Sequence, residues 1–131
     1  MPLDWIVGRA PCAEAVRRDA LRLAQPRLDL DLPATLKSGA MRDALARREF
    51  RSVLYMRLNA LGGTWIVLAA VLRRIWPGQV ALEINCDDVG PGLYISHGFA
   101  TIVVARSIGR DCLISQQVTI GYSDRGGPPT L

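Results

Sequence analysis

The chain has 131 residues, half of them hydrophobic, with 16 basic and 12 acidic side chains and a formal charge of +4. That length holds one modest domain, or one domain behind a small helical lead, and the apolar content is ample for a core and argues against disorder. The longest apolar stretch, residues 60–72, has 13 residues, short of the ~20 that a spanning helix needs, and Met1–Val7 lacks the basic start and long apolar run of a secretory signal. A cytoplasmic chain without a transmembrane segment is expected.

In chain order, Pro11 to about Gln25 reads as a first helix, with proline near its start and Pro26 just past its end. Residues 27–33, Arg-Leu-Asp-Leu-Asp-Leu-Pro, alternate apolar with acidic side chains and read as an extended linker. A second helix is predicted from about Gly39 to Leu61, where Phe50, Val53, Leu54, Leu58 and Leu61 form an apolar stripe and Gly62-Gly63 ends it. Thr64 can cap a third helix through about Ile75, stopped by Pro77. Being apolar on nearly every side, that helix is predicted to be buried against the segment that follows.

Charge and cysteine usage narrow the partners. Residues 1–80 hold thirteen of the bases and seven of the acids, and every base except Lys37 is arginine. Without aromatic interleaving or a nucleic-acid module, this reads as a solvated face paired with local acids, not as a nucleic-acid surface. Cys12, Cys86 and Cys112 are far apart with no C-x-x-C, and one histidine cannot complete a zinc set, so no metal is expected. Cys112 reads as a thiol of the core.

From about Leu82 a different period takes over. Ile102, Ile108, Ile114 and Ile120 are six apart, Val89 and Ile95 keep the same step, and one extra residue near Phe99 joins the two runs. Neither a helix nor an exposed sheet repeats in this way. A chain that turns a corner after each short strand does, with the aliphatic side chains inward and small residues such as Gly90, Gly109 and Gly121 at the corners.

Residues 90–131 carry Gly-Leu-Tyr-Ile-Ser-His (92–97), Ala-Thr-Ile (100–102), Ser-Ile-Gly (107–109) and Gln-Gln-Val-Thr-Ile-Gly (116–121). In this order and spacing they resemble the hexapeptide-repeat acyltransferases, and within them the serine O-acetyltransferase-like proteins. The resemblance implies a mainly β solenoid, a left-handed parallel β-helix, over residues 81–131, behind a helical N-terminal segment over residues 1–80. It also implies that the repeats continue past Leu131, so that the β region is incomplete at its C-terminus, and that the assembly is a homotrimer with sites between subunits.

The same resemblance assigns the chemistry. An alcohol is almost fully protonated at neutral pH, and an imidazole that titrates near neutrality can take its proton and return it to a leaving thiolate. His97 would be that base, with acetyl-CoA as the co-substrate. A carboxylate should orient it, and Glu83, 14 residues earlier, is placed ahead of Asp87 and Asp88. Ser96 and Arg125 would contact the acceptor, while Gln117 and Gly121 would line the acetyl-CoA side. Ser96 stands where the cysteine-biosynthetic enzymes carry an aspartate, and Gly127 and Pro128 stand where they carry an Arg-His pair. A sugar hydroxyl is therefore an alternative to serine, and a shortened, non-catalytic module is a second alternative. The zinc-dependent carbonic anhydrases of similar fold need three histidines and are excluded.

Overall fold

A computed structural model describes residues 2–27, 37–122 and 126–131. Five helices come first: α1 (Pro2–Arg9), α2 (Ala13–Ala24), α3 (Ala40–Ala46), α4 (Arg48–Ala60) and α5 (Thr64–Ile75). Seven short strands follow: β1 (Leu82–Asn85), β2 (Asp88–Val89), β3 (Tyr94–Ser96), β4 (Thr101–Val104), β5 (Ser107–Ile108), β6 (Leu113–Ser115) and β7 (Thr119–Ile120). The strands pair in parallel as three small sheets, in the orders β1-β4-β7, β2-β5 and β3-β6.

These elements correct the fold expected from the sequence. The chain is not a mainly β left-handed solenoid but a mixed fold, in which five helices stand beside open sheets of three, two and two strands, none of them closed. A six-residue period reports that short strands alternate with corners. It carries no information on the handedness of the path or on how much of the fold the preceding helices supply.

Several helix boundaries also differ. The first predicted helix begins two residues later, at Ala13, and α1 precedes it, with Pro2 in its first position, where a missing N–H costs nothing, and Arg9 stacked over the Trp5 ring at 3.9 Å. The long second helix breaks at Arg47, whose backbone is extended (φ −85°, ψ 132°). Arg51 makes that break tolerable, because its Nη1 donates to the freed carbonyls of Leu45 and Ala46 at 2.7 and 3.0 Å. Gly63, not Thr64, is the residue before α5, and it gives no side-chain cap. At the other end the Tyr55 hydroxyl donates to the Trp76 carbonyl at 2.6 Å. The linker predicted at residues 27–33 lies outside the described residues from position 28 onward.

Helix α5 departs most from expectation. Ala69 and Leu72 pack inward against α4, but Ile66, Val67, Val71 and Ile75 are exposed. Apolar composition on all sides predicts burial only if neighbours exist on all sides, and here α4 covers one face. No helix among the described residues is long and apolar enough to cross a membrane.

Two cores result. Val16, Leu45, Phe50, Leu54, Tyr55 and Leu58 centre the helical one. Ile95, Val103, Ile108 and Ile114 centre the strand one, and Val53 of α4 belongs to it. The inward rows are Ile84–Val103–Ile120, Val89–Ile108 and Ile95–Ile114, one from each sheet. Cys112 packs at the edge of this core. Ile102 does not follow the six-residue step, because Val103 takes the inward position and Ile102 is 44% exposed. At Gly90 a Cβ would stand 2.6 Å from the Gly109 carbonyl, so close stacking of successive corners demands glycine there. Residues 129–131 run beside β5, with Leu131 N–H donating to Ser107 O and Gly109 N–H to Leu131 O.

The two halves are joined by charge. The Asp19 carboxylate, 1% exposed, accepts from Arg57 Nε at 2.6 Å and Nη2 at 2.9 Å, and from the Gly92 and Leu93 N–H groups at 2.8 and 2.9 Å. Arg57 also donates to the Val89 and Gly90 carbonyls at 3.0 and 2.8 Å. On the α2 surface, Arg18 grips both Asp111 oxygens at 2.9 and 2.7 Å. The Arg18 hydrogen bonds, chiefly, hold the Asp111 carboxyl below its ordinary value.

Two outcomes follow from this packing. Ile108→Ala should lower unfolding stability by about 2–5 kcal/mol, and Ile102→Ala by less than about 1 kcal/mol, in chemical denaturation; equal losses would show that the inward rows are misplaced. Because the Asp111 value is lower in the folded chain than in the unfolded one, its contribution is complete above about pH 4 and is lost as pH falls through the folded value. Asp111→Asn should therefore lower stability near neutrality and flatten its decline below about pH 4, and an unchanged acid profile would remove Asp111 from the acid response.

Candidate functional site

The corner between β3 and β4 is built differently from the one that follows it. Strands β1 and β3 pair with partners 19 positions later, as Leu82 with Thr101 and Ser96 with Ser115, whereas β4 pairs with β7 at 17, as Ile102 with Thr119. The segment after Ser96 is therefore two residues longer than the segment after Ser115, not one as the spacing of aliphatic residues implied. His97, Gly98, Phe99 and Ala100 fill it.

Its backbone is strained. His97 (φ 66°), Gly98 (φ 60°) and Ala100 (φ 49°) all take the left-handed region, which costs roughly 1–2 kcal/mol for a residue with a Cβ. The Phe99 carbonyl ties the segment down, accepting from Gln117 N–H at 2.9 Å and from the buried Thr101 hydroxyl at 3.1 Å. Gly98 is buried, and a Cβ there would meet Ile95 Cγ2, Leu82 Cδ2 and Glu49 Cγ at 3.0, 3.1 and 3.2 Å. The corner is thus pressed against β1 and α4, while His97 and Phe99 face solvent.

The structure brings some of the sequence-derived site residues together and separates others. His97, Ser96 and Gln117 share this corner. Glu83 lies on the outer face of β1, level with Ile102. There it joins Ala81, Leu82, Ala100 and Ile102 around a shallow depression of about 480 Å³. On its other side Glu83 borders a groove of about 560 Å³ lined also by Ser52, Asn59, Arg73, Gln79 and Asn85. Among the described residues no hydrogen bond or ion pair links Glu83 to His97. Asp87 lies in the corner between β1 and β2 and Asp88 opens β2, one sheet away. Gly121 follows the last residue of β7, at the opposite end of that sheet from His97, and a Cβ on it would meet nothing within 4 Å. Close backbone approach within this chain does not require glycine there. Arg125 lies outside the described residues.

Glu49 is the acid that sequence reasoning passed over. It sits one turn before Val53, the α4 residue that enters the strand core, so helical spacing puts both on the side of α4 that faces the strands. That i, i+4 relation was the available signal, but it has meaning only once Val53 is known to point at the strands rather than into the helical core. Two acidic residues thus border the segment that carries an exposed imidazole, Glu49 with its Cγ against Gly98 and Glu83 in the depression it shares with Ala100. Such a segment can hold an imidazole out to a ligand and take a proton from it.

Comparison with protein-family models, curated proteins and solved structures finds no match to this chain. The site's own geometry is what a functional reading must rest on.

The tight packing of this corner is measurable. Gly98→Ala adds a Cβ against three neighbours at a left-handed φ and should cost about 1–3 kcal/mol in chemical denaturation. Gly121→Ala meets open space and should stay within about 0.5 kcal/mol of the parent. Similar costs at the two positions would contradict the described corner.

Proposed function

We propose that this chain is an acetyl-CoA-dependent O-acetyltransferase, related to the hexapeptide-repeat serine O-acetyltransferases, with His97 as its general base. The single observation behind this reading is the placement of the only histidine. It is exposed on a two-residue extension with left-handed backbone, directly after the Tyr-Ile-Ser motif, and beside two carboxylate-bearing elements. The two extra residues, which the following corner does without, hold a solvated imidazole out from the strands, and this favours a functional role.

In the proposed step His97 takes the proton of the acceptor hydroxyl as its oxygen attacks the thioester carbonyl. The C–S bond then breaks, and the imidazolium returns the proton to the coenzyme A thiolate. Glu83 or Glu49 would stabilise the imidazolium by its charge. Gln117, whose N–H is committed to Phe99 O, has its side chain exposed at the same corner and available to the acyl donor. The acceptor is serine, which would place the reaction at the entry to cysteine biosynthesis in the cytoplasm, carried out by a homotrimer. One observation favours a sugar hydroxyl as a second reading: the groove beside Glu83 is lined by the neutral hydrogen-bonding side chains of Ser52, Asn59, Gln79 and Asn85.

Coenzyme A release measured with L-serine and with a panel of hexoses tests both. His97→Asn should lower turnover by about 100-fold or more while leaving acetyl-CoA binding intact. Undiminished turnover would remove His97 from the mechanism, and failure of the parent chain to bind acetyl-CoA would leave a non-catalytic module.

A further inference from the structure

A second cleft lies at the other end of β3 and β6 from His97, between α2 and the turn that leads into β6. Its volume is about 580 Å³, and Arg17, Arg18 and Arg110 line it together with Glu14, Pro11 and Pro91. The charge of Arg18 is already met, since both Asp111 oxygens accept from it. That bond holds α2 against the turn before β6, and so sets the backbone positions of the chain neighbours Arg17 and Arg110, both of which line the cleft. Arg17 and Arg110 are exposed, and neither makes a hydrogen bond or salt bridge among the described residues. Glu14 is the only acid in the lining. Four arginines, Arg17, Arg18, Arg22 and Arg110, stand here against two acids, Glu14 and Asp111, and this excess of positive charge attracts an anion. Pro11 and Pro91 have fixed φ and stiffen the lining.

We infer that this cleft binds a phosphate-bearing small anion, with Arg17 and Arg110 gripping its oxygens from two different elements. Guanidinium suits the task because its planar fork donates two parallel hydrogen bonds to phosphate, which an ammonium group does not. The site stands apart from the His97 corner and does not depend on the acyl-transfer reading. The phosphate is either free or part of a nucleotide, and two probes separate these sources: pyrophosphate and adenosine 3′,5′-bisphosphate.

Titration calorimetry on the full chain at about 0.15 M salt should detect binding of one or both probes, weakening as salt rises. The Arg17→Gln/Arg110→Gln variant should bind about tenfold more weakly or worse with an unchanged melting temperature, because neither side chain holds the fold together. Glu14→Gln should bind a few-fold more tightly by removing the opposing charge. Tighter binding of the nucleotide than of pyrophosphate would identify a nucleotide ligand, and equal binding a free phosphate; both support the site. No binding of either probe at millimolar concentration, or equal binding by parent and double variant, would overturn it.

Discussion

The contact between Asp19 and Arg57 is the constraint on which the joining of the two halves depends. The residues are 38 positions apart, on α2 and α4, and both side chains are almost wholly buried, at 1% and 6% exposure. Burying two ions costs several kcal/mol each unless every polar atom finds a partner. Here every nitrogen and oxygen of the pair has a partner: the carboxylate accepts from two guanidinium nitrogens and two backbone N–H groups, and the guanidinium also donates to two backbone carbonyls. Burial pushes the Asp19 carboxyl up from its ordinary value, while Arg57 and the two N–H groups pull against it. Every backbone group in that set belongs to residues 89–93, from the last residue of β2 to the one before β3. Removing one partner of such a pair costs about 3–5 kcal/mol, a large share of the stability of a small domain.

This pair also sets the geometry around it. With residues 89–93 held against α2 and α4, strand β3 starts from a fixed point, and Val53 of α4 enters the strand core one turn before Arg57. Glu49, one further turn back on the same helix, then reaches Gly98. One helix thus carries, at four-residue intervals, an acid beside the histidine corner, an apolar contact with the strand core, and the cation that fastens the strands to α2. The order of these three along α4 is the reverse of the path of β3, which runs from its clamped start to the corner at its end.

The outer surface divides in an uneven way. The clamp and the Arg18–Asp111 bond pair charges where α2 meets the strands, and leave Arg17 and Arg110 exposed beside them. Helix α5, which has no contact of this kind with the strands, keeps Val67, Val71 and Ile75 in solvent. Polar connections between elements are directional and few, whereas apolar faces are covered only where a neighbour happens to lie.

Sequence period by itself determined that short strands follow three predicted helices, that aliphatic residues such as Ile95, Ile108 and Ile114 point inward, and that the segment after Ser96 is longer than its counterpart. These are local properties, because the spacing of apolar side chains along a chain is set by the backbone path through a few residues. Period did not determine that Val103 replaces Ile102 at the inward position, since the two are adjacent, similar in size, and separated only by the register of β4 on β1. Nor did it reveal the break at Arg47, which depends on the guanidinium of Arg51 folding back onto Leu45 and Ala46. The pairing of Asp19 with Arg57 and the approach of Glu49 to Gly98 were decided by tertiary structure alone. Each joins residues distant in sequence, and charge partners across such distances are selected by which faces pack, a choice that no local pattern records.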